Sequence, residues 1–149
     1  MVLSRVIVGG VELKERWVDA LMALPRIFAG LALSLSFGLS KFPVPDRFVE
    51  TVGALGFPLP GLFAWAAVMS EVLGGFLLAL GLLTRPSAFF IICTMLVAAF
   101  LQKADAGLSE KLPALFFLVV SYYALILGSG RFGLDALLRR GLKMRTSEA

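Results

Sequence analysis

The chain contains no histidine and no asparagine, and a single cysteine, Cys93. Each absence removes a class of chemistry. Without histidine, His-ligated haem, zinc and copper sites are not expected. Neither a Ser-His-Asp triad nor a Cys-His pair can be assembled. One cysteine cannot form an internal disulfide or a CxxC redox pair. Without asparagine there is no Asn-X-Ser/Thr glycan acceptor. Charge is scarce too: Asp, Glu, Lys and Arg make up 16% of the residues, against about 25% in an ordinary soluble domain. Apolar side chains fill the gap, at 59% of 149 residues and a mean hydropathy of +0.92. The length suits one domain. A domain this small has too little interior to hide so much apolar surface, so lipid is the expected solvent.

A helix crossing a bilayer needs about 20 mostly apolar residues. Four segments meet or approach that length: 24–40, 59–83, 84–102 and 112–129. Pro25 suits the first turn of a helix, where its missing N–H does no harm. "KFPVPD", "GFPLPG", "LLTRPSA", "KADAGLSEKLP" and "GSGRFG" supply the breaks. The expected fold is all-α, an integral membrane four-helix bundle over residues 24–130. Short interfacial helices are expected at the N-terminus (residues 1–23), in the first loop and in the basic tail (residues 131–149). In the first, Asp19 falls on the water-facing side. In the second, Asp46 is placed to cap a helix carrying Phe48, Val49, Val52 and Leu55, and in the third Asp135 is placed to cap "GLDALLRRGLKMR".

The basic residues orient the bundle. With four spans, both termini and the middle turn share one side, and ten of the 14 basic residues lie there. The positive-inside rule then puts both termini in the cytoplasm. The net charge of +4 sits at helix ends, which suits anionic lipid headgroups rather than nucleic acid.

From Pro60 to Leu83 one residue is charged, Glu71. Counted inward from the loops, the span midpoints form a polar layer of Ser34, Ser70, Glu71, Thr94, Ser121, Tyr122 and Tyr123. Ala67, Glu71, Gly75 and Ala79 share one helical face, and Gly30, Ser34 and Gly38 form a small-residue stripe on the first span. Small residues let membrane helices approach closely. Glu71 is therefore expected to face the first span or the bundle axis. A charge at mid-bilayer costs at least about 2.5–3.5 kcal/mol. Lys41 lies seven residues beyond Ser34, roughly 10 Å outward, and is expected to turn away from the core. Glu71 is then expected to be protonated, hydrogen-bonded to Ser34, a tyrosine hydroxyl or a backbone carbonyl. It is the candidate catalytic group, with Ser34, Lys41, Ser70 and Tyr122 as candidate ligand-binding residues; the plainer alternative is that Glu71 only holds helices together. Cys93 is read as a buried small hydrophobe.

"PRIFAGLALSLSFGLSKF", "GFPLPGLFAWAAVMSEVLGGFLLALGLLTRPSA" and "GSGRFGLDALL" together resemble the DoxX family of small bacterial and archaeal membrane proteins. The matching positions are Arg26, Gly30, Gly38 and Lys41 in the first span, then Glu71, Gly74, Gly75, Gly81, Thr84 and Arg85. Gly128, Gly130, Leu134 and Asp135 close the set. Many members carry a histidine where this chain has Phe37. The resemblance implies a four-helix protein of the cytoplasmic (inner) membrane. It also implies kinship with a subunit of a quinone-reducing complex and with other membrane redox systems.

Three functions are weighed. The first is a subunit of a membrane redox assembly, with a mid-bilayer site for quinone or proton handling. It requires a protein partner to supply electrons, since the chain carries no haem ligand set, iron–sulfur cysteines or dithiol of its own. The second is a non-enzymatic scaffold that docks a partner, and the third a small-molecule carrier, which four helices would serve only as a homo-oligomer. No metal or covalent cofactor is expected, and quinone is the candidate ligand.

Overall fold

The computed structural model describes residues 16–139, and all regular structure in that range is helical, with no strand. Helix α1 (Arg16–Ala32) continues through a π-helical stretch, Leu33–Gly38, into a 3-10 turn, Leu39–Lys41. Helix α2 (Asp46–Ala54) is short. Helix α3 (Pro60–Met69) passes through a second π stretch, Ser70–Gly74, into α4 (Gly75–Leu80). Helix α5 (Thr84–Leu96) ends in a third, Val97–Gln102, and α6 (Leu108–Leu127) is uninterrupted. Four of these runs are long and apolar enough to cross a membrane: Asp19–Lys41, Pro60–Leu80, Thr84–Gln102 and Leu108–Leu127. These are the first to fourth spans. Each packs on the next in sequence, and the fourth closes against the first.

The packing is that of a lipid-solvated bundle. The shared core is built largely from small or slender side chains, including Ala29, Ala88, Ile91, Ala99, Ala114, Val120 and Ala124. Bulky Leu and Phe residues such as Phe28, Leu62, Phe90 and Phe100 are exposed on the outside. That inversion suits hydrocarbon, where close helix contact rather than water exclusion drives association.

Glycine sets the register of the first two spans. A Cβ on Gly30 would lie 2.6 Å from the Gly75 carbonyl oxygen and 2.7 Å from the Ala79 nitrogen. One on Gly38 would lie 2.9 Å from the Val72 nitrogen. Ser34 Oγ donates to the Val72 carbonyl at 2.8 Å, and Arg26 Nη1 donates to the Leu78 carbonyl at 2.8 Å. With these contacts made, Lys41 comes level with Glu71, about eleven residues in from Pro60, or roughly 16 Å along a helix. The first span therefore stops well short of the level where the second begins. Helix α2 and the turn after it occupy that space: Gly53 lies against Pro60, and the Phe57 ring packs at a tilt on Phe63 with centroids 4.8 Å apart.

Several expectations are corrected. The first span does not begin at Pro25, because α1 runs through that residue. Membrane helices tolerate an internal proline where neighbouring groups satisfy the freed carbonyl. Residues 16–23 are thus continuous with the first span, and Asp19 is buried against Arg131 rather than facing water. Helix α2 forms as expected, but Pro45 holds its N-cap position and Asp46 is its first residue, with no side-chain cap. The fourth span starts at Leu108, with Pro113 in its second turn. Residues 134–139 are helical, but Asp135 serves another helix, as shown below. The proposed interfacial helix before residue 16 and the tail from residue 140 lie outside the described residues.

Candidate functional site

Glu71 is turned inward and 3% exposed. It is not alone there. Lys41 Nζ donates to both carboxylate oxygens, at 2.7 Å to Oε1 and 2.6 Å to Oε2. This overturns the expectation that Lys41 turns outward and that Glu71 bonds to a hydroxyl or carbonyl. Counting depth from the loops assumed that the first two spans start level; the glycine contacts shift them. The lysine side chain keeps 33% exposure against 4% for the glutamate, and its ammonium lies 5.6 Å from the centroid of the Phe48 ring on α2.

The pair lines a cavity of about 380 Å³ between α2, the second span and the third span. Its walls are mostly apolar: Phe48, Val52, Leu55, Phe57, Phe63, Ala66, Ala67, Phe89, Phe90, Val97 and Ala98. Polar groups are few, with Thr51, Ser70, Cys93, Thr94 and Gln102 beside the ion pair. Ser70 and Thr94 hydroxyls lie 2.6 Å apart, and Thr94 Oγ1 also bonds to the Phe90 carbonyl at 3.1 Å. An apolar slot of this size with a few convergent polar groups is the usual form of a small-molecule site. A π turn in each of the first three spans adds to that picture, since such turns are frequent at functional sites.

Lys41, Ser70 and Glu71 come together as expected. Ser34 and Tyr122 do not join them. Ser34 is fully buried and committed to the Val72 carbonyl, behind the cavity. Tyr122 is 58% exposed and faces outward; its neighbour Tyr123 is the inward one, donating to the Met22 carbonyl at 2.7 Å. Cys93 is exposed at the cavity rather than buried. Sequence reasoning missed the aromatic walls, because α2 and the turn after it bring Phe48 and Phe57 over the slot only through tertiary packing. The third-span half had a signal, since Phe89, Phe90, Cys93, Thr94 and Val97 recur at helical spacing.

A second polar cluster holds the opposite end. Asp135 is buried and accepts from Leu83 N at 2.8 Å, Thr84 N at 3.0 Å and Thr84 Oγ1 at 2.8 Å. It therefore caps the N-terminus of the third span from the far end of the chain. Its own N–H donates to the Gly81 carbonyl at 2.9 Å. Gly81 takes the left-handed conformation, φ +66°, that ends the second span. Arg26, 1% exposed, and the Asp19–Arg131 pair at 3.1 Å complete the cluster. These contacts fold the segment after the fourth span under the bundle.

An all-helical bundle of four spans with a sheltered Lys–Glu pair defines a small polytopic membrane protein. The DoxX family model matches residues 21–104, and the chain belongs to that family. It is 32% identical to an uncharacterized protein of Haemophilus influenzae, over 69% of this chain and 74% of the relative. It is 28% identical to the putative oxidoreductase CatD of Bacillus subtilis, over 80% of this chain and 88% of that protein. No solved structure matches the chain at a significant level.

Proposed function

We propose that this chain is the membrane subunit of a redox assembly, and that its cavity takes a quinone headgroup and handles protons beside it. The observation that carries the proposal is the Lys41–Glu71 pair on the wall of an otherwise apolar, aromatic slot. The fit is chemical. A quinone needs a flat apolar slot and hydrogen-bond donors for its oxygens. The aromatic walls offer the first and the Lys41 ammonium the second. When bound, the quinone would supply a two-electron, two-proton couple. Lys41 would orient a carbonyl oxygen, Glu71 would hold or release a proton through Lys41, and helix α2 would keep bulk water off the pair. Electrons would come from a partner protein, since the chain has no histidine and one cysteine. Kinship with a protein named putative oxidoreductase supports the same reading.

The setting proposed is the cytoplasmic membrane with both termini inside, as the distribution of basic residues favours. The test is purification of the intact assembly from its native membrane in mild detergent. Mass spectrometry should find quinone bound, and Glu71→Gln should lower quinone-dependent turnover at least about tenfold, as loss of a proton-transfer group does, with the assembly intact. A quinone-free preparation and normal turnover in Glu71→Gln would refute the proposal and leave Glu71 as a structural contact between helices.

A further inference from the structure

We infer that the cavity selects an uncharged, lipid-soluble phenol or quinol, a head group that both accepts and donates a hydrogen bond. The inference rests on the reading of the cavity as a ligand site and goes further in naming the head-group chemistry. Among the described residues lining the cavity, Lys41 and Glu71 are the charged ones. They are paired through both carboxylate oxygens, so the site carries no net charge. An anionic head would either share the one ammonium with Glu71, leaving two negative charges to one positive, or draw Lys41 away and leave Glu71, 3% exposed, without its cation. A cationic head would strand Lys41 in the same way. A neutral head disturbs neither.

The hydrogen-bond inventory specifies the rest. An ammonium has three N–H donors; Glu71 takes two, which leaves one for an acceptor on the ligand. Thr94 spends its one hydroxyl proton on the Phe90 carbonyl, so Ser70 is the donor in the Ser70–Thr94 bond. The Ser70 oxygen then keeps a free lone pair for a hydroxyl on the ligand. Beside the ion pair the cavity thus offers a donor at Lys41 and an acceptor at Ser70; elsewhere on its wall the Gln102 amide, which both donates and accepts, and the Thr51 oxygen, whose proton goes to the Arg47 carbonyl, add uncharged groups that suit a neutral head as well. The body of the ligand is set by the walls. Phe63, Phe89 and Phe90 line the slot, are each at least 40% exposed and stand on helices long and apolar enough to cross a membrane, so a lipid-dissolved tail can lie along them.

Three probes of closely matched chain length test this, 4-dodecylphenol, laurate (twelve carbons with its carboxyl) and dodecylamine, bound to the full chain in nanodiscs and corrected for partition into empty discs. The phenol should bind at least about tenfold more tightly than either ion, given the size of an uncompensated charge at short range. Glu71→Gln leaves a cation and should shift the preference to laurate; Lys41→Gln leaves an anion and should shift it to dodecylamine. Each variant checks the other should one fold poorly. Equal binding of laurate and the phenol to the wild type, or no shift in a folded variant, would overturn the inference. If the native assembly still retains quinone, that result leaves the functional proposal standing. No phenol binding to the wild type would overturn the inference as well; joined with a quinone-free assembly and normal turnover in Glu71→Gln, it would sink both.

Discussion

Removing either partner of the Lys41–Glu71 pair should not cost the same. At 2.6 Å and an effective dielectric near 20, the gross attraction is about 6 kcal/mol. Desolvation offsets much of it, and breaking such a pair costs about 3–5 kcal/mol when the survivor stays buried. That condition holds for one survivor only. In Lys41→Met, Glu71 remains with its side chain 4% exposed and a stem too short to carry its carboxylate clear of the bundle, so a loss of about 3 kcal/mol is expected. In Glu71→Leu, the lysine is already 33% exposed and can swing its ammonium outward along its flexible stem, so about 1 kcal/mol is expected. The double variant Lys41→Met/Glu71→Leu strands no charge and should fall within about 1 kcal/mol of the wild type. The assay is reversible unfolding in mixed micelles, run as a double-mutant cycle. A coupling below about 0.5 kcal/mol, or a larger loss for Glu71→Leu than for Lys41→Met, would refute the reasoning.

Three further outcomes are expected. Asp135→Ala orphans Leu83 N, Thr84 N and Thr84 Oγ1 and should cost about 2–4 kcal/mol, with Thr84→Val costing about 1 kcal/mol; thermal unfolding in nanodiscs would check both. Gly30→Leu must push the first two spans apart, since even a Cβ would lie 2.6 Å from the Gly75 carbonyl oxygen; overpacking of about 1–3 kcal/mol should appear as a lower melting temperature, and an unchanged one would contradict the register. Glu50→Cys, exposed on α2, in a Cys93→Ser background should react with an impermeant maleimide added outside intact cells; labelling only after lysis would reverse the orientation.

Sequence pattern reached far where a single helix decides the outcome. Span number follows from runs of about 20 apolar residues, because an unpaired backbone group in hydrocarbon is too costly for any other spanning structure. The inward aim of Glu71 follows from its sharing a face with Ala67, Gly75 and Ala79, which is local helical geometry. The family motifs are local strings as well, and the match over residues 21–104 agrees with them. The pattern failed where two helices had to be placed against each other. Lys41 reads as the end of a span and Glu71 as the middle of one. Nothing in either helix states that the first is displaced along the second, and only the paired contacts of Gly30, Ser34 and Gly38 do so.

Asp135 shows the same limit over a longer distance. In the sequence it is an acid at the head of a short basic helix, and the nearest use for it is that helix's own cap. Folding brings it to Leu83 and Thr84, more than fifty residues away, because those N–H groups at the start of the third span have no partner within their own helix. The cavity is likewise a product of assembly, formed where a short first span leaves room that α2 covers but does not fill. Sequence alone determined which segments enter the membrane and which face of each is small enough to be buried, since both depend on composition and a fixed helical period. The tertiary structure alone decided the depth at which each side chain meets its partner, because an offset between helices is set by contact on both surfaces at once.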